Sequence, residues 1–174
     1  MTTPPVPTAT DEIVAANAAH AAAYDPAAAG FDPAVAPPSR LVAVVTCMDA
    51  RIDPAAAFGL RPGQAHVVRN AGGIVTEDVL RSLTLSQREL GTVEVAVVQH
   101  TGCGLLGLDD AAVVAAIEAE TGAPPPFAPG GFPDLEASVR AGLATLRSAP
   151  FLPWRDAVRG FVYDVATGRL REVA

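Results

Sequence analysis

The sequence predicts an α/β fold: a mainly parallel central sheet with flanking helices, an antiparallel C-terminal hairpin strand at its edge, and an N-terminal helix packing on a partner subunit. Three observations carry this reading. LVAVVT (41–46) and VEVAVVQ (93–99) are continuous apolar, β-branched runs, the pattern of strands buried on both faces. Segments of helical period lie between and after them, and alternating strands and helices build a parallel sheet. The tail RGFVYDVATGRLREV reads as a hairpin turning around Ala166–Gly168, which adds one antiparallel strand.

In chain order, residues 1–9 are Pro/Thr-rich and expected to fray. Asp11 is the expected cap of a helix over EIVAANAAHAAAY, whose alanines give high propensity but a weak apolar face. Such a helix buries little by itself and is expected to lie against another surface, a second subunit being the candidate; His20 on it reads as solvated surface or interface. PAAAGFDPAVAPPSR (25–40) is punctuated by Pro and Gly and reads as an irregular connection. After the first strand come a short helical piece at Pro54–Phe58, a turn at RPGQ and a strand over AHVVR (65–69), which ends in the loop NAGG. Thr76 caps TEDVLRSLTLSQREL, with Val79, Leu80, Leu83 and Leu90 at helical spacing and Gly91 as its stop. DDAAVVAAIEAE (109–120) carries acids at its start, favourable for the helix dipole. TGAPPPFAPGGFP is a loop, and DLEASVRAGLATLRS (134–148) is a helix with Leu135, Val139, Leu143 and Leu146 along one stripe.

The 174 residues, half of them apolar, suit a single domain spanning 1–174 with a sizeable core. Twelve basic residues, all arginine, stand against nineteen acidic ones, for a net charge of -7. With no basic run, the chain is not expected to bind nucleic acid or an anionic membrane. It has no apolar run of bilayer length and no signal-peptide pattern at its start, so a cytoplasmic location is expected. There two cysteines serve metal binding or catalysis rather than a disulfide.

Those cysteines occupy equivalent places. Cys47 follows the strand LVAVVT, and His100–Thr101–Gly102–Cys103 follows the strand VEVAVVQ. In open α/β sheets, loops from separate strands converge beyond the strands' carboxyl ends, where ligands bind. The interval between Cys47 and His100 is too long for a zinc finger but natural for two parallel strands joined by crossovers. Cys47, His100 and Cys103 are ligand types that suit zinc, and three protein ligands leave a fourth position free, as in catalytic rather than structural sites. Buried, inert cysteines and a loop histidine are the alternative, but the shared placement at two strand ends favours one zinc per chain. Asp49 and Arg51 stand two and four residues beyond Cys47 on the same short loop. There the carboxylate is in reach of the open position, and Arg51 can hold it away from the metal by a bidentate pair; a weak surface ion pair is the alternative.

CMDAR, RNAGG and HTGCG, in this order and spacing, resemble the β-class carbonic anhydrases, in particular their short prokaryotic members. The likeness runs from about Leu41 to the C-terminus and includes the FVYDVATG hairpin. It implies a zinc lyase that hydrates carbon dioxide reversibly to bicarbonate and a proton, by attack of zinc-bound hydroxide. It also implies a homodimer or dimer of dimers built around a shared sheet, with the sites at the interface and the N-terminal helix embracing the partner. The resemblance puts His66 at the rim of the cleft, where an imidazole titrating near neutrality suits a proton relay; a half-buried strand histidine without a catalytic role is the other reading. The chain departs from the family pattern at Gly102, where some short members have a carboxylate, and at Gln99, where many have glycine. Relatives with this site hydrolyse carbonyl sulfide or carbon disulfide, and that activity is the rival expectation. A non-catalytic zinc- or bicarbonate-binding protein is a further one, which requires Asp49 to block the metal permanently.

Overall fold

Residues 8–173 are described by the computed structural model. Five strands form one sheet: β1 (Val42–Cys47), β2 (Ala65–Asn70), β3 (Glu94–His100), β4 (Val158–Asp164) and β5 (Arg169–Val173). Their spatial order is β2-β1-β3-β4-β5. The first four are parallel, and β5 returns antiparallel along β4, as the apolar runs and the C-terminal hairpin predict. The helices are α1 (Ala9–Ala22), α2 (Pro26–Ala29), α3 (Pro54–Phe58), α4 (Glu77–Arg88), α5 (Asp110–Thr121) and α6 (Leu135–Ser148), with a 3-10 turn over Ala71–Gly73.

Several boundaries differ from expectation, each for a local reason. Thr8, not Asp11, caps α1: its hydroxyl accepts from the Asp11 amide, and the Asp11 carboxylate reaches back to the Thr8 amide. Asp11 is therefore the third helical residue of a capping box. Of the residues expected to fray, 1–7 lie outside the described part, whereas Thr8 and Ala9 already belong to this helix. Asp25 caps a single turn, α2, inside the segment expected to be irregular. Leu90 falls just beyond α4, which ends at Arg88 before Gly91 takes a left-handed φ of 74°. Cys47 and His100 are the last residues of β1 and β3 rather than the first residues after them.

The core lies on one face of the sheet. Ala43 and Val45 of β1, Val95 and Val97 of β3, and Val158 and Val162 of β4 pack against Val79 and Leu83 of α4 and Val139, Leu143 and Leu146 of α6. Gly160 of β4 makes room for α6, since a Cβ there would run into Val139 and Leu143. The opposite face carries Val44, Val98 and Phe161, which with Phe58 of α3 border an open cavity of about 530 Å³. Helix α1 buries none of its residues, and Ile13 and Val14 are 68% and 65% exposed. No helix among the described residues is long and apolar enough to cross a membrane.

Chain order and spatial order together locate the crevice. From β1 the chain moves outward to the edge strand β2, crosses back over β1 to β3, and then proceeds to β4 on the other side. The connections therefore reverse direction between β1 and β3. At such a switch point the loops leaving adjacent strands diverge and open a crevice at their carboxyl ends. Cys47 and His100 are the residues at those two ends.

Candidate metal centre

Strands β1 and β3 run side by side with Thr46 level with Val98, which brings Cys47 and His100 to the same edge of the sheet. Beyond His100 the chain turns sharply, with Gly102 at a left-handed φ of 64°, and delivers Cys103 to the same place. The ligand atoms of Cys47, His100 and Cys103 all lie within 4.8 Å of one another, and all three residues are buried. Around a tetrahedral zinc such atoms stand about 3.5–3.8 Å apart, so only a small closing movement is needed.

The state of each donor supports a metal. His100 is fully buried, and its Nδ1 lies 3.0 Å from the carbonyl oxygen of Thr101. A carbonyl only accepts, so Nδ1 carries the proton and Nε2 presents its lone pair. That Nε2 is buried without a hydrogen-bond partner. An orphaned buried nitrogen is costly unless something coordinates it. Burial also pushes the Cys103 thiol above its usual pKa, an expense that a bound cation reverses by holding the thiolates. Two thiols and an imidazole lone pair facing one point fit zinc. The remaining walls are apolar: Ile52 and Phe132 are buried beside the cysteines, with Ile74 and Leu105 packed against them.

The loop after Cys47 is wound around Asp49. Its carboxylate accepts the Arg51 backbone amide at 2.9 Å, Arg51 Nε at 2.9 Å and Arg51 Nη2 at 2.7 Å. The bidentate pair anticipated from the spacing is thus present, and Arg51's hydrogen bonds hold the Asp49 carboxyl far below the usual carboxylate range. The same Nη2 also donates to the carbonyl of Gly102 at 2.8 Å, joining the Asp49 loop to the His100–Cys103 turn. The Asp49 Oδ2 that accepts from Arg51 Nη2 also stands 3.7 Å from His100 Nε2. Asp49 and Arg51 therefore join the three candidate ligands.

His66 does not. It pairs with Ala43 near the start of β2, four residues before Asn70, which is level with Cys47. Four residues of strand span about 13 Å. Its Nδ1 is hydrogen-bonded to the Ser86 hydroxyl at 2.7 Å, and burial depresses its pKa. Within the chain, the direction of β2 carries His66 away from the ligands, into a side-chain contact with α4.

Three further residues hold the centre together. Gly73, at φ 61°, lies against the end of β1, where a Cβ would come within 2.8 Å of the Cys47 amide nitrogen. The Asn70 side chain clasps this turn, accepting from the Ile74 amide and donating to its carbonyl. Gln99, buried beside His100, donates to the Gly72 carbonyl at 2.8 Å and ties β3 to the same turn. The two departures from the family pattern thus acquire local reasons. Gln99 is a fastener, and Gly102 supplies a left-handed turn whose Cβ position lies 3.7 Å from Arg51 Nη1.

A three-donor metal centre at the switch point of a parallel sheet, with a paired carboxylate beside it, defines a metalloenzyme of the open α/β type. Comparison with known proteins narrows this. Residues 42–123 match the family model described as carbonic anhydrase. The chain is 48% identical over 137 residues to beta-carbonic anhydrase 1 of Mycobacterium tuberculosis, covering 79% of this chain and 84% of that one. It is 32% identical over 160 residues to a carbon disulfide hydrolase of an Acidianus species, covering 78% of each. In structure it resembles a carbonic anhydrase from Streptococcus mutans with a TM-score of 0.85 and 38% identity, over 98% of this chain and 100% of that one. The chain belongs to the β-carbonic anhydrase family.

Proposed function

We propose that the protein is a zinc-dependent carbonate dehydratase that interconverts carbon dioxide and bicarbonate. The observation that carries this is the convergence of the Cys47, His100 and Cys103 ligand atoms on one buried point, with His100 Nε2 unpaired. Zinc, when bound there, acidifies a water so that hydroxide is available near neutral pH. The chain's own residues account for the rest. Cys47, His100 and Cys103 hold the metal, and the Thr101 carbonyl keeps His100 in the tautomer that can do so. Two thiolates make the water less acidic than an all-histidine site would. Asp49 offsets this by accepting a hydrogen bond from the attacking water and aiming its lone pair. Arg51 holds both oxygens of that carboxylate and so restrains it from closing onto the metal. Ile52, Phe132, Ile74 and Leu105 provide an apolar surround, suited to an uncharged, linear substrate.

The 32% identity to a carbon disulfide hydrolase favours one second reading, hydrolysis of carbon disulfide or carbonyl sulfide at the same centre. Stopped-flow hydration of carbon dioxide, run beside carbon disulfide and carbonyl sulfide assays on the zinc-loaded chain, separates the two. Rapid hydration with negligible sulfide release is expected. Sulfide release without hydration would transfer the assignment to the second reading.

The working unit is proposed to be a homodimer or dimer of dimers located in the cytoplasm. Helix α1 leaves Ile13 and Val14 in solvent, and the sheet face that carries Val44 and Val98 leaves Val67 of β2 and Leu170 of β5 40% and 45% exposed. Both are apolar surfaces that a partner would remove from water. Sedimentation at assay concentrations should give twice the chain mass or an even multiple of it. An active monomer would contradict the assembly.

A further inference from the structure

Two arginines meet at Asp49, and only one of them touches its side chain. Arg51 holds the carboxylate, whereas Arg69, in the RNAGG segment at the end of β2, holds the main chain. Arg69 Nε donates to the Cys47 carbonyl at 2.9 Å, and its Nη2 donates to the Asp49 carbonyl at 2.8 Å. These carbonyls flank Met48, whose side chain is 64% exposed. Two main-chain ties act beside Arg69: the Met48 amide donates across to the Asn70 carbonyl at the end of β2 at 2.9 Å, and within the loop the Ile52 amide donates to the Asp49 carbonyl at 3.1 Å. A planar guanidinium spans two carbonyls at a set separation, which a point-like ammonium does not.

We propose that Arg69 is a positioning residue for the metal centre: by bridging the Cys47 and Asp49 carbonyls it fixes the peptide planes around Met48, and so sets where the Asp49 carboxylate stands relative to the metal. This rests on the metal centre proposed above. Asp49 Oδ2 already stands 3.7 Å from His100 Nε2, so a slack Met48–Asp49 segment lets the carboxylate move onto the metal or turn out of the site. Either displacement removes the oriented acceptor. Misplacement of a reacting group by about 1 Å costs on the order of a hundredfold in rate. Arg51 grips the carboxylate and, through Nη2, the Gly102 carbonyl, whereas the carbonyls on either side of Met48 are held by Arg69.

The test uses full-length wild type, Arg69→Ala and Arg69→Lys, each loaded with zinc for kinetics and with cobalt(II) for absorption spectroscopy, whose d–d bands report the ligand shell. Arg69→Ala should bind one metal per chain and show shifted cobalt bands. Its kcat should fall between about tenfold and a hundredfold with KM little changed. Arg69→Lys, able to reach one carbonyl at a time, should shift in the same direction by less. If Arg69→Ala does not fold, the lysine variant carries the test alone. Wild-type cobalt bands with kcat within about twofold of wild type would overturn the proposal, and so would a rise confined to KM, which would make Arg69 a contact for substrate or product. A wild-type chain that binds no metal would instead overturn the metal centre.

Discussion

Arg51→Ala is expected to abolish carbon dioxide hydration while leaving one zinc in each chain. In the structure one carboxylate has two competing partners. Asp49 is bound to Arg51 through both guanidinium contacts and the backbone amide, and its Oδ2 lies 3.7 Å from the nitrogen that faces the metal position. Removing the guanidinium leaves an anion next to a dication with only the backbone amide of residue 51 to restrain it. A carboxylate oxygen is a good zinc ligand, so it should take the fourth position and exclude the water that reacts. The expected loss is on the order of a hundredfold or more, the scale of removing one preorganised electrostatic contact from an active site. X-ray absorption should then find two sulfurs, one nitrogen and one carboxylate oxygen around zinc. Asp49→Ala should differ: the site stays open to water, the oriented acceptor is lost, and turnover falls without that fourth protein ligand. If Arg51→Ala keeps water at zinc and a wild-type rate, the pair is an ordinary loop salt bridge.

Cys103→Ala should release the metal altogether. Four-ligand zinc sites are worth about 10–16 kcal/mol, so each ligand accounts for about 3 kcal/mol and its removal costs over a hundredfold in affinity. Dialysis against a weak chelator, followed by metal analysis, should leave the variant near zero and the wild type near one zinc per chain. Cys103 sits in the turn after β3 rather than within a strand of the sheet, so circular dichroism should show the fold retained. His100→Ala should lose zinc in the same way, but its fully buried place in β3 adds a packing cost. Full zinc in Cys103→Ala would remove that residue from the ligand set.

Much of this architecture was legible in the residues. The β-branched runs 41–46 and 93–99 can bury both faces only as central strands, and they are β1 and β3. The pairing of Asp49 with Arg51 follows from their separation, since a loop residue two positions from a carboxylate reaches it without help from the fold. The cap of α1 was misread because a capping box contains two residues able to cap, and only backbone dihedrals distinguish Thr8 as the outer one. Arg69 and Gln99 escaped notice as working residues because their partners are backbone carbonyls, at Cys47, Asp49 and Gly72. Every residue has a carbonyl, so such a bond leaves no mark in the partner's side-chain identity.

By itself the sequence determined which side chains can hold a metal, that they stand at two strand ends, and that the strands form a mostly parallel sheet. These depend on residue type and local period, which are written along the chain. Only the tertiary structure decided that β1 and β3 are neighbours in a register that brings Cys47 and His100 together, and that β2 points His66 away from them. It also decided that His100 offers Nε2 rather than Nδ1, because the choice is made by where the Thr101 carbonyl points. Strand order, register and the direction of a single hydrogen bond are set by the packing of the whole sheet against α4 and α6. No short stretch of sequence contains that information.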